Sequence, residues 1–76
     1  MAANIYDSIG YVYLELKLPT KTVYYYSMAL GAYPKFASSL YGRALGEQAL
    51  GQTAAATTDF AAAKTVDPKI TSDFGS

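Results

Sequence analysis

Residues 24–34, YYYSMALGAYP, read as the second half of a helix that stops at a proline. A similar ending, DFAAAKTVDP, recurs at residues 59–68, with Pro68 as the counterpart of Pro34. Setting residues 1–42 against 35–76 gives identities at Ala3/Ala37, Leu16/Leu50, Ala29/Ala63, Pro34/Pro68, Lys35/Lys69 and Ser38/Ser72. The aromatic pair Tyr26/Phe60, the small pair Ala29/Ala63 and the proline pair fall in step. This spacing predicts a two-unit helical repeat.

Working outward, the run Ile5, Tyr6, Ile9, Tyr13, Leu16 follows helical spacing, with Asn4 as its expected cap and Asp7 in its first turn. Gly10 is tolerated inside it at about 1 kcal/mol against alanine. Pro19 marks the break, in the turn or as the first residue of the next helix. The second helix is expected over about 20–30, with Val23, Tyr26, Ala29 and Leu30 on one stripe and Gly31 as its cap. A third is expected over about 35–50. Its apolar face holds Phe36, Leu40, Ala44, Tyr41, Leu45 and Ala49, and Gly42 and Gly46 leave room for a neighbour. Gly51 ends it, and Thr53 caps an alanine-rich fourth, about 54–65, anchored by Phe60. Ile70 and Phe74 then stand where Phe36 and Leu40 stood, so a further helix starts and is cut short.

Composition narrows the chemistry. With no histidine and no cysteine among 76 residues, the usual nucleophile–base pairs, thiolate metal sites and disulfides are all excluded. Glu15 and Glu47 read as solvated charges rather than a catalytic pair, and no glycine-rich phosphate loop is present. No enzyme, cofactor or metal is expected. Six basic and six acidic residues cancel, which argues against nucleic acid as a partner. No apolar run suffices to insert in a membrane, and residues 1–7 lack the pattern of a signal peptide. The default compartment is the cytoplasm.

A period of about 34 residues, made of two helices closed by proline, resembles the tetratricopeptide repeat, W-x2-L-G-x2-Y, A-x3-F, then P. Tyr6, Ile9, Gly10 and Tyr13 take the slots of the first helix, and Tyr26, Ala29 and Pro34 those of the second. In unit two, Gly51, Ala56, Phe60, Ala63 and Pro68 match, whereas Leu40, Arg43, Ala44 and Glu47 match poorly. Lys17 replaces the glycine expected between the helices, and Thr22 replaces an alanine that lets them approach, so looser packing is expected in unit one.

The resemblance implies an all-α domain over 1–76. Two tetratricopeptide-like hairpins (about 3–36 and 37–70) would wind as a right-handed superhelix, followed by a short helical stub, 71–76. It also implies a protein-binding scaffold with a concave face built from the first helix of each unit. On that face we expect Asn4, Asp7, Ser8, Tyr11, Glu15, Tyr41, Leu45 and Gln48. The lysine and asparagine clamp of peptide-binding relatives is missing, its slots holding Asp7, Tyr11 and Gly42, so acidic C-terminal tails are not the expected ligand. The alternative is a self-assembling subunit, stacked head to tail through uncapped repeat ends into an oligomer or filament. Tyr24, Tyr25, Tyr33, Ile70 and Phe74 are its expected contacts. The eight tyrosines, most of them at or before Tyr26, are the strongest pointer to a contact of either kind.

Overall fold

The computed structural model describes residues 2–75; Ser76, counted in the expected stub, lies outside the described residues. The chain is all-helical: α1 (Ala2–Glu15), α2 (Pro19–Ala32), α3 (Ala37–Ala49), α4 (Thr53–Val66) and α5 (Ile70–Asp73). α1 pairs with α2 and α3 with α4 as hairpins, α2 and α1 both pack on α3, and α5 touches α3 and α4.

The turns explain why the helices stop where they do. Lys17 and Gly51 both adopt left-handed backbone, at φ 59° and 77°. The N–H after each one reaches back to the preceding helix, Leu18 to the Tyr13 carbonyl and Gln52 to the Glu47 carbonyl. This is the Schellman closure that satisfies free carbonyls at a helix end. At the other ends, Tyr33 and Asp67 are extended, as residues before proline must be, and their N–H groups bond to Ala29 and Ala63. Both endings thus recur from the first hairpin to the second in the register that pairs Pro34 with Pro68.

Several local expectations need correction. Asn4 does not cap α1, which starts at Ala2: Ala3 is buried and needs the helix already formed ahead of Asn4. Gly31 lies inside α2, which runs to Ala32, because the residue before Pro34 supplies the stop instead. α3 begins at Ala37, the segment before it being a turn in which the Phe36 N–H bonds to Tyr33. Thr53 is the first helical residue of α4 and Gln52 its N-cap, with no side-chain capping bond. Pro19 opens α2 as its first residue.

The core joins the hairpins. Leu30, Leu40, Ala63 and Ile70 form its buried centre, with Phe36, Tyr41 and Phe74 packed against it. Tyr26 is fully buried between the units. An added Cβ at Gly42 would collide with its ring, and one at Gly10 would lie 2.9 Å from it, so both glycines exist to admit that ring. Gly46 gives the same room to Thr22 and Val23. Thr22 does not loosen unit one. It is fully buried, and its hydroxyl donates to the Leu18 carbonyl at 3.0 Å.

Candidate functional site

α1 and α3 lie side by side, and the chain returns past them at its C-terminal end. Between these parts is an open groove of about 470 Å³, lined by Asp7, Ser8, Tyr11, Val12, Ser38, Asp73, Phe74 and Gly75. Asp7, Ser8 and Tyr11 share one face of α1 because they are spaced i, i+1, i+4. Asp7 is held across the α1–α3 contact, accepting from the Ser39 hydroxyl at 2.7 Å and the Ser38 hydroxyl at 3.3 Å. Asp73 lies beside Asp67, and a hydrogen bond with that carboxyl pushes the Asp73 carboxyl above its ordinary range.

The aromatic ring contacts fall into two larger groups and a separate pair, Tyr33 with Phe36 at 5.5 Å. Tyr11 on α1 meets Phe74 edge-on at 5.8 Å, Phe74 meets Tyr41 on α3 at 5.1 Å, and Tyr41 meets Phe60 on α4 at 5.1 Å. On the other side of α1, Tyr25 stacks on Tyr13 at 5.4 Å and on Tyr6 at 6.4 Å, with Tyr24 edge-on at 5.0 Å. The Lys21 ammonium stands 5.7 Å from the Tyr13 ring, a cation–π distance. Successive residues of a helix turn by about 100°. Hence Tyr26 faces the core, Tyr25 lies half-buried on α1 and Tyr24 points outward, 59% exposed.

Of the residues expected on the concave face, Asp7, Ser8 and Tyr11 come together in the groove, and Tyr41 joins them through Phe74. Asn4, Glu15 and Gln48 lie outside the groove lining, as does the half-buried Leu45. The expected self-association set is redistributed. Ile70 is buried at 4% exposure and Phe74 packs between Tyr11 and Tyr41, so neither is offered at the tail. Tyr25 is taken up by Tyr6 and Tyr13, whereas Tyr24 and Tyr33 remain exposed. Val12, Ser38, Asp73 and Gly75 are groove residues that the sequence does not announce. Only the folding-back of the C-terminal turn brings Asp73 and Gly75 to α1, and helical periodicity carries no signal for that.

Glu47 is not the solvated charge expected from the sequence. It is buried, and so is Asp59, in a network around Arg43 that clamps α3 to α4. The Arg43 guanidinium donates to both Asp59 oxygens, at 2.7 and 3.0 Å, and to the Ser27 hydroxyl at 3.3 Å, while Glu47 Oε2 stands 3.7 Å from Nε. Glu47 Oε1 and the Tyr26 hydroxyl are buried without a hydrogen-bond partner among the described residues. Burial, and then the adjacent Asp59 carboxyl, pushes the Glu47 carboxyl up to about 7; in its protonated form Glu47 can donate to Asp59. Burial also pushes Asp59 up, but its bonds from Arg43 and Glu47 more than offset this, and its pKa ends below the ordinary value. The sequence carries a signal for this network: Arg43 and Glu47 stand i, i+4 on a helix, with an acid on the helix paired to it.

A smaller hollow of about 390 Å³, at the α1–α2 turn, is lined by Leu14, Leu18, Pro19 and Ala49, with Lys17 and Thr22 as its polar side chains. Its threonine, Thr22, already spends its hydroxyl on Leu18. It lacks the convergent polar groups of a ligand site. No helix among the described residues is long and apolar enough to cross a membrane. Comparison of the chain with protein-family models, with curated proteins and with solved structures gives no match.

Proposed function

We propose that this chain is a non-catalytic protein-interaction module of the tetratricopeptide kind, holding a peptide or protein segment in the groove along α1 and α3. The observation that carries the reading is the groove itself, an open trough in which Asp7, Ser8 and Tyr11 stand within one helical turn on a helix clamped to its neighbour. A rigid helix face with polar side chains beside aromatic ones is what a recognition surface needs. The two groove carboxylates, Asp7 and Asp73, argue for a partner that brings donors or positive charge. Backbone NMR shifts on titration with short peptides test it: changes should centre on Ser8, Tyr11 and Ser38. Changes confined to the helix ends would overturn it.

A second reading, self-association, is favoured by a different surface. Ile5, Ile9, Val12 and Leu16 recur at spacings of four, three and four on α1, and Ile5, Val12 and Leu16 are 61%, 54% and 60% exposed. Such a seam pairs two helices. Ile70 and Phe74 are engaged within the chain, so these two do not offer the seam an unlike face at the tail. Pairing of like faces gives a closed two-fold dimer rather than a filament.

A further inference from the structure

We propose that the groove takes a peptide segment carrying an aromatic side chain beside a lysine or arginine, and that Phe74 is the chain's own occupant of the aromatic place. The inference rests on the interaction-module reading and names the ligand class for it.

The first observation is how Phe74 is seated. Its ring is inserted between Tyr11 and Tyr41, which come from α1 and α3, with both contacts edge-on. Edge-to-face geometry sets the electropositive rim of one ring against the electron-rich face of the next, and it is a specific preference of aromatic groups. The place between Tyr11 and Tyr41 is therefore shaped for an aromatic ring. Phe74 reaches it from outside any long element. α5 has only four residues, and Phe74 follows it in extended backbone, tied by one bond from its N–H to Ile70. A single turn has little helical stability of its own. Gly75 then turns through φ 76° against the Tyr11 hydroxyl, a position that an alanine would strain.

The second observation is charge. The open space beside Phe74 is lined by two carboxylates, Asp7 and Asp73, and among the described residues by no lysine or arginine. Asp67 crowds Asp73 further. A cationic side chain next to an incoming aromatic ring would meet both carboxylates. The ring itself would regain the contacts that Phe74 gives up, so the exchange is close to balanced in the aromatic term and is driven by the added charge pairing. A competitor tethered in the same chain lowers apparent affinity by the fraction of time it occupies the place.

The experiment uses the whole chain and the acetylated peptides GKFKG, GKAKG and GEFEG, followed by backbone NMR shifts at Ser8, Tyr11 and Ser38. GKFKG is expected to bind, and to bind about tenfold more tightly to the Phe74→Ala chain, because the tethered ring is gone. Gly75→Ala, which keeps the ring but strains its tether, is expected to bind about threefold more tightly than the parent. GKAKG and GEFEG should bind at least tenfold more weakly than GKFKG to each chain. Binding of GKFKG should weaken with added salt. Equal affinity for GKFKG and GKAKG, or no gain in both variants, overturns the inference while leaving a peptide groove in place. No shift at these residues with any of the three peptides overturns the ligand class, and the same silence across a broad peptide library overturns the interaction reading as well.

Discussion

Lys17 holds φ 59° where its counterpart in the second hairpin, Gly51, holds φ 77°. The left-handed region costs a side-chain-bearing residue roughly 1–2 kcal/mol, part of which glycine returns through its freer unfolded chain. Lys17→Gly is expected to stabilise the fold by about 0.5–1 kcal/mol, seen as a higher urea midpoint at unchanged slope. A lower midpoint would mean that the lysine is held there by something other than the turn. Glu47 supports a prediction of the opposite kind. Its folded pKa is raised from 4.5 to about 7, so the folded chain holds a proton that the unfolded chain has lost. The stability this confers is complete below about pH 4.5 and is lost as pH rises towards 7 and beyond; Asp59, shifted the other way, loses its contribution only in acid. Urea unfolding at pH 5 and pH 8 should differ by about 2 kcal/mol, and Glu47→Gln should remove most of that difference. An unchanged pH profile in the variant would show that Glu47 is not the titrating group.

At the scale of the elements, the decisive contact is α2 on α3. The Tyr26 ring fills the space left by Gly10 and Gly42, and no side chain fits at Gly42 without moving the ring. Gly42→Ala is therefore expected to destabilise by about 1–3 kcal/mol, by overpacking, despite alanine's better helix propensity. Thermal unfolding followed by circular dichroism checks the sign, and a gain in stability would mean that the two hairpins separate easily. The spacing of Gly42 and Gly46 announced a close approach, and the positions of Pro19, Pro34 and Pro68 announced the breaks. Gly31 misled because a glycine near a helix end reads as a cap, yet Pro34 already supplies the stop. Asn4 misled in the same way: a good capping residue counts for less than the burial of Ala3.

At the scale of the whole molecule, α1 is the side left open. Ile5, Val12 and Leu16 project from it, while Ile70 and Phe74 pack within the chain. If like faces pair, light scattering should give a mass that rises with concentration and levels at two chains, and Ile5→Glu should hold it at one chain with a change in stability within about 0.5 kcal/mol. Growth beyond two chains would restore the head-to-tail filament. The sequence by itself determined the class of fold, the number of hairpins and the breaks between them. Proline, glycine and helical periodicity act through local backbone geometry, and local geometry is written residue by residue. Only the tertiary structure decided which side chains were taken up inside the chain. Tyr25 was claimed by Tyr6 and Tyr13, Phe74 by Tyr11 and Tyr41, and Glu47 by Arg43 and Asp59. Most of these contacts join different helices, and their formation depends on how helices turn about one another and where the C-terminal turn folds back. Periodicity along a single helix shows that a face is apolar or polar, but not what will lie against it.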